Sequence, residues 1–315
     1  MAVAKRPARL VLTASVARRF YLDGKSQVEI ADELGLSRFQ VARLLEAARA
    51  NGLVRIEIPN VGAIDVELST RLQDAYGLRY AVVIDSPHVD PGSLLPELGE
   101  AAAELLTEIV TAQDVLGLAW SRAVSAMTHA LTALPPIPVV QLTGALARLD
   151  LADTSVDLVR QAARKSGGPA HFFYAPTIVP DARTARVLQQ QPEVARAFSR
   201  LTTVTKAVVG VGLWAPAEST VYDATDEKGR AALESHGVCA EVSGVLLDTE
   251  GHPVDSEFSK RIVGISATQL RGVPEVIAIA YNAVRTPAIR AAIVGGLVNG
   301  IVTHPPVARE LIAQR

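Results

Sequence analysis

From residue 76 onward the chain alternates short apolar runs with amphipathic stretches, and this rhythm constrains the fold more than any other feature. The apolar runs fall at 80–84, 115–119, 139–142, 171–175, 207–211, 245–247, 262–265, 276–280 and 300–303. Helical patterns fall between them, at about 97–111, 123–134, 155–166, 181–190, 192–200, 227–236, 266–271, 286–296 and 305–313, after an amphipathic helix over 63–76. Short strands that are apolar on both faces, each followed by a helix, predict an α/β domain with a mostly parallel, doubly wound sheet. With aromatics at 4%, the core has to be built from Ala, Val, Leu and Ile. Neither an internal repeat nor a low-complexity tract interrupts the pattern.

Ligands of such sheets bind beyond the carboxyl ends of the strands. That rule singles out four loops. Ser121 and Arg122 follow one strand and open a helix, where backbone amides, a hydroxyl and a guanidinium would suit an anion. Thr143 and Gly144 follow the next strand, Gly212 lies in a Gly-Val-Gly turn, and Tyr281, Asn282 and Arg285 follow the strand at 276–280. The Gly-Val-Gly turn lacks the G-x-G-x-x-G continuation of a dinucleotide site, so no cofactor is expected there.

The first 58 residues differ in character. They hold ten Lys/Arg and six Asp/Glu, a net of +4, whereas residues 59–315 hold 21 and 27, a net of −6. A basic head on an acidic body suits a DNA-binding unit joined to a ligand-binding unit, with the boundary at 58/59. Leu12, Val16 and Phe20 line one face of a first helix, which Asp23-Gly24 stops. Ser26 with Glu29 forms the capping-box signature of a second helix, Gly35 makes the turn, and Ser37 caps a third helix over 38–50 that Asn51-Gly52 ends. Ala31 provides a close crossing; Ile30, Leu34, Leu36, Val41 and Leu44 or Leu45 fill the interior. This spacing predicts a helix-turn-helix whose third helix presents Arg38, Phe39, Gln40 and Arg43 to the major groove. Residues 53–58 alternate with period two and predict a wing strand, with Arg55 as a phosphate contact. Ser26, Gln27 and Ser37, at the helix starts, complete the candidate DNA contacts. A trihelical unit that serves only packing or dimerisation is the alternative.

One cysteine, Cys239, rules out a disulfide within the chain and a cysteine-based zinc finger. The six histidines show no metal-ligand spacing, and there is no H-E-x-x-H and no G-x-S-x-G motif. No metal and no catalytic residue is therefore expected. Without a run of about 18 apolar residues there is no expected membrane span, and the apolar segment of a secretion signal is missing at the start; the expected location is cytoplasmic.

Several stretches resemble, in order, the SorC family (DeoR/SorC type) of sugar-binding transcriptional regulators. SQVEIADELGLSRFQVARLLEAARANGLVRIEI is similar to that family's helix-turn-helix and wing. DVLGLAWSRAVSAM, VVQLTGAL, YAPTIV, AVVGVG, GVCAEVSGVLLDTEGHPVD and the long run from Arg261 to Thr303 are similar to its effector domain. The resemblance implies an effector domain folded like ribose-5-phosphate isomerase and glucosamine-6-phosphate deaminase, a phosphorylated sugar or polyol as effector, double-stranded operator DNA as partner, and a homodimer or homotetramer. It places Arg122, Thr143, Gly144, Glu241 and Arg285 among the effector contacts. The chain departs from the family at three points. Ala123 stands where a hydroxyl is common, Tyr281-Asn282 replaces a frequent Gly-Gly pair, and Arg285 replaces a lysine. A free polyol is compatible with these departures. The alternative function is a sugar-phosphate isomerase or deaminase-like enzyme, with Glu241 as general base. A DNA-binding scaffold without a ligand is a third reading.

Overall fold

The computed structural model describes residues 7–55, 63–88, 90–146 and 153–315. The chain forms two compact units, Met1–Pro59 and Asn60–Arg315.

Among its described residues the first unit holds three helices: α1 (Pro7–Tyr21), α2 (Gln27–Leu34) and α3 (Arg38–Ala50). Both short helices begin with a reciprocal capping box. Ser26 Oγ accepts from the Glu29 amide at 3.3 Å, while the Glu29 carboxylate accepts from the Ser26 amide at 2.8 Å. Ser37 and Gln40 repeat the exchange at 3.2 and 2.7 Å. Two otherwise orphaned donors are satisfied at each helix start. Between α2 and α3 the chain reverses through Gly35, whose φ of 64° lies where a side chain is strained. Val16, Ile30, Ala31, Val41, Leu44, Leu45 and Ala48 form the small core. Leu53 and Val54 form no strand, and Arg55 is exposed without regular structure. The rest of the expected wing, 56–58, and the break at 59–62 lie outside the described residues.

The second unit is built on a seven-stranded parallel sheet with the order β1-β10-β9-β5-β2-β3-β4. Its strands are β1 (Tyr80–Val83), β2 (Leu116–Leu118), β3 (Val139–Gln141), β4 (Ala170–His171), β5 (Lys206–Val209), β9 (Glu275–Ile279) and β10 (Gly300–Thr303). Between β5 and β9 the chain inserts a three-stranded antiparallel sheet, β6 (Val211–Leu213), β7 (Ala240–Val242) and β8 (Val245–Leu247). The helices are α4 (Val66–Tyr76), α5 (Pro91–Ile109), α6 (Arg122–Ala130), α7 (Ser155–Ser166), α8 (Ala182–Gln190), α9 (Pro192–Phe198), α10 (Thr220–Asp223), α11 (Glu227–Ser235), α12 (Ala267–Arg271), α13 (Thr286–Val294) and α14 (Pro305–Ala313).

Successive residues of each central strand feed opposite cores, as the period of two requires. Val140, Ala207, Val209, Val276, Ala278 and Ile301 pack with α4, α13, α14 and the antiparallel sheet. Leu116, Leu118, Val139, Val208, Ile277 and Val302 pack with α5, α6 and α7. Every residue of β5, β9 and β10 is buried, which explains the unbroken apolar runs in the sequence.

Four expectations need correction. The run 171–175 contributes only His171 to β4, and residues 172–175 form no strand. The run 262–265 is not a strand: Ile262 and Gly264 make only isolated bridges, to Ile178 and Thr143. The run 207–211 is two strands, because the chain turns at Gly210 from the parallel to the antiparallel sheet. The helix expected at 97–111 begins at Pro91, where the Asp90 carboxylate accepts from the Ser93 amide at 3.0 Å and a proline occupies the first position, a site that needs no N–H donor.

The strand order sets where a ligand can go. From β2 the chain moves outward to β3 and β4, then returns to the other side of β2 for β5 and moves outward again through β9 and β10. The reversal between β2 and β5 opens a crevice at their carboxyl ends.

Candidate functional site

A cavity of about 90 Å³ occupies that crevice. Ser121, Arg122, Thr143, Gly144, Gly212, Glu241, Tyr281 and Arg285 all line it. Residues from four strand ends and the antiparallel sheet thus meet in one place. The glycines permit close approach: a Cβ on Gly212 would come within 2.9 Å of the Ser219 side chain, and one on Gly144 within 2.7 Å of the Ala175 and Pro176 carbonyl oxygens. Ser121 caps α6, accepting from the Val124 amide at 3.0 Å. Arg122 is exposed and Ala123 is buried behind it.

Asn282 does not line the cavity; it holds a residue that does. Its Nδ2 donates to both carboxylate oxygens of Glu218, at 3.0 and 3.2 Å. The Arg285 Nε donates to the same carboxylate at 2.5 Å, and the guanidinium lies over the Tyr281 ring, 4.7 Å from its centroid. Glu218 is therefore fixed by two donor atoms through three contacts. The second carboxylate of the cavity, Glu241, is buried and accepts from the Gly244 amide. Burial pushes its carboxyl up to about 7, against the pull of the Gly244 amide, the Ser219 hydroxyl and the Arg285 charge. The hydroxyl of Ser243 is buried against the cavity and has no hydrogen-bond partner among the described residues.

Among the described residues, three non-glycine residues have positive φ: Ala217 at 62°, Ser243 at 53° and Asn282 at 70°. Two line the cavity and the third positions Glu218. Strain on the order of 1–3 kcal/mol per residue concentrates where the surrounding structure must hold groups in fixed directions.

In the first unit, Arg38, Phe39, Gln40 and Arg43 are exposed on α3, and Phe39 keeps 79% of its surface open. Gln40, however, spends its side-chain oxygen on the Ser37 amide. Ser26 and Ser37 likewise serve as caps, and Gln27 is half-buried. Arg38, Phe39 and Arg43 are left as the projecting set.

The Sugar-bind family of sugar-binding domains matches residues 63–313 of this chain. The transcriptional regulator YjhU of Escherichia coli K12 is 31% identical over 305 residues, covering 93% of this chain and 92% of that protein. LsrR of Klebsiella pneumoniae, also a transcriptional regulator, is 27% identical and covers 96% and 93%. The full-length sorbitol operon regulator SorC of Klebsiella pneumoniae has the same fold, with a TM-score of 0.74 at 23% identity over 97% of this chain and 99% of that one.

The chain belongs to the SorC family. It is a transcriptional regulator of that family, with a mixed α/β unit on a mostly parallel sheet. Sequence reasoning for this SorC-family chain missed Glu218, Ser219, Thr177 and Ser243, all of which line the cavity. Ser219 carries a usable signal, since it caps α10, accepting from the Tyr222 amide at 3.2 Å. Thr177 reaches the cavity through the Gly144 carbonyl, to which its hydroxyl donates at 2.7 Å. No local signal marks Glu218 or Ser243, because their partners lie far along the chain or are absent. No helix among the described residues is long and apolar enough to cross a membrane.

Proposed function

We propose that residues 1–58 are a winged helix-turn-helix that binds operator DNA, and that residues 59–315 bind a small carbohydrate effector in the cavity between β2 and β5. The observation that carries the effector reading is the convergence of a buried carboxylate, an unpartnered buried hydroxyl and the strained backbone on one crevice of the sheet. Ser121, Arg122, Thr143, Gly144, Gly212, Glu241, Tyr281 and Arg285 contact the effector; Asn282 acts by holding Glu218. The polar, hydroxyl-rich lining fits a sugar, a polyol or a phosphate ester of either. α3 is the recognition helix, with Arg38 and Arg43 reading base edges, Phe39 making apolar contact, and Arg55 reaching a phosphate.

The active species is a homodimer or homotetramer in the cytoplasm. Effector binding shifts a two-state equilibrium in subunit packing, and the spacing of paired recognition helices follows. The effector domain shares the isomerase and deaminase fold without their chemistry; relatives named as transcriptional regulators favour this reading over an enzyme.

A thermal-unfolding panel of sugars, polyols and their phosphates tests the reading. A ligand that binds the native state alone raises stability by about 2.7 kcal/mol at a hundredfold excess over its Kd. One or a few compounds should raise the midpoint selectively, and the same compounds should change operator affinity. A panel without a single selective shift would count against the carbohydrate reading.

A further inference from the structure

We propose that the cavity selects an uncharged polyhydroxy compound, a free sugar or polyol, and that Glu218 excludes its phosphate ester. This inference rests on the carbohydrate reading above and adds which chemical class is taken.

The cation on the β9 side of the cavity is already engaged. Arg285 donates to Glu218 at 2.5 Å and packs over Tyr281, with only 14% of its side chain exposed. A phosphate that took over the Nε of this guanidinium would displace a carboxylate that Asn282 also holds through two contacts. Displacement would break three charge-assisted hydrogen bonds, each stronger than a neutral one. Binding without displacement would set a phosphate of charge about −1.5 to −2 beside the Glu218 charge, with Glu241 lining the same small space. The other guanidinium, Arg122, is exposed.

The same groups suit hydroxyls. A carboxylate is an acceptor only, so Glu218 and ionised Glu241 can each accept from a hydroxyl of the effector. Ser243, buried and unpartnered, both donates and accepts, and an effector hydroxyl would satisfy it. Tyr281 adds an aromatic wall. Asn282, at a φ of 70° where glycine is easier, keeps the side chain that holds Glu218 in place.

The test titrates inorganic phosphate against the full-length protein at constant ionic strength and follows the thermal midpoint. Each response is read as the difference from that of Arg285→Ala, which cancels phosphate held by the basic first unit. The wild type is expected to show no saturable difference. Glu218→Gln, which keeps the shape and removes the charge, should gain a saturable rise. Asn282→Gly relieves the positive φ while unpinning Glu218; it should show a smaller rise and serves if Glu218→Gln does not fold. A saturable rise in the wild type would overturn the proposal, and so would no rise in either variant. A parallel arm compares erythritol, ribitol and glucitol with their monophosphates. A larger shift from a free polyol supports the proposal, and a larger shift from a phosphate ester overturns it. Silence from every compound in that arm would count against the carbohydrate reading, while the phosphate arm still decides the exclusion.

Discussion

Glu241 is held between opposing forces: burial favours its neutral form, and the Gly244 amide, Ser219 and Arg285 favour its charge. With its folded pKa raised to about 7 from 4.5, the folded state binds the proton more tightly than the unfolded chain. The stabilising contribution is fully present below about pH 4.5 and is lost as pH rises through 7. The loss is on the order of 3 kcal/mol for a shift of this size. Thermal midpoints between pH 5 and 8 should therefore fall more steeply for the wild type than for Glu241→Gln; parallel curves would show that Glu241 is not the titrating group. On α3, the proposed recognition helix, Arg43→Ala should weaken operator binding by roughly 1–3 kcal/mol if this side chain reads a base, and unchanged affinity would remove it from the recognition set. Phe39, exposed among cations, is suited to a thymine methyl. Replacing one operator thymine with deoxyuridine should then cost affinity in the wild type and little in Phe39→Ala. Equal losses in both at every thymine would refute that contact. The residue types that follow a strand and open a helix made Arg122 legible in the sequence, whereas Glu241 was marked only by the family resemblance. Glu218 was not legible, because its meaning comes from Asn282 and Arg285, more than 60 residues away.

At the scale of elements, capping chemistry did most of the predictive work. Ser26 with Glu29, Gly35, and Ser37 fixed the starts of α2 and α3 and the turn between them, since each signal is local and has a mechanism. Gly35→Ala isolates the conformational part of the turn: a Cβ there would meet nothing within 4 Å, so only the φ of 64° is penalised. The cost should be about 1–2 kcal/mol in denaturant unfolding of the first unit, and no measurable loss would mean the turn relaxes. The 262–265 run misled because its apolar residues are buried by a loop that bridges to Thr143 and Ile178 and never joins a ladder. A period of two cannot distinguish these cases. The break at Gly210 was hidden for a related reason, since β5 and β6 are separated by a single residue.

Over the whole molecule, the parallel α/β class was legible from alternation alone, but strand order was not. Nothing local tells β5 to insert between β2 and β9. One long-range tie at that junction is ionic: buried Lys206 on β5 donates to Glu275 on β9 at 2.7 Å, with Asp114 at 3.8 Å. Glu275→Ala would leave a buried ammonium with the more distant carboxylate alone, and should destabilise the second unit by about 3 kcal/mol; a loss below 1 kcal/mol in denaturant unfolding would show the ion pair to be replaceable. The same strand order creates the crevice, so the fold and the proposed effector site share one cause. In the proposed mechanism, occupation of this crevice controls DNA binding. Its most direct test measures the affinity of the full-length protein for DNA obtained by in vitro selection, with and without the polyol that gives the largest thermal shift, for the wild type and for Glu241→Ala. The polyol should change wild-type affinity severalfold and leave the affinity of Glu241→Ala unresponsive. An equal polyol response in the two proteins would contradict the mechanism.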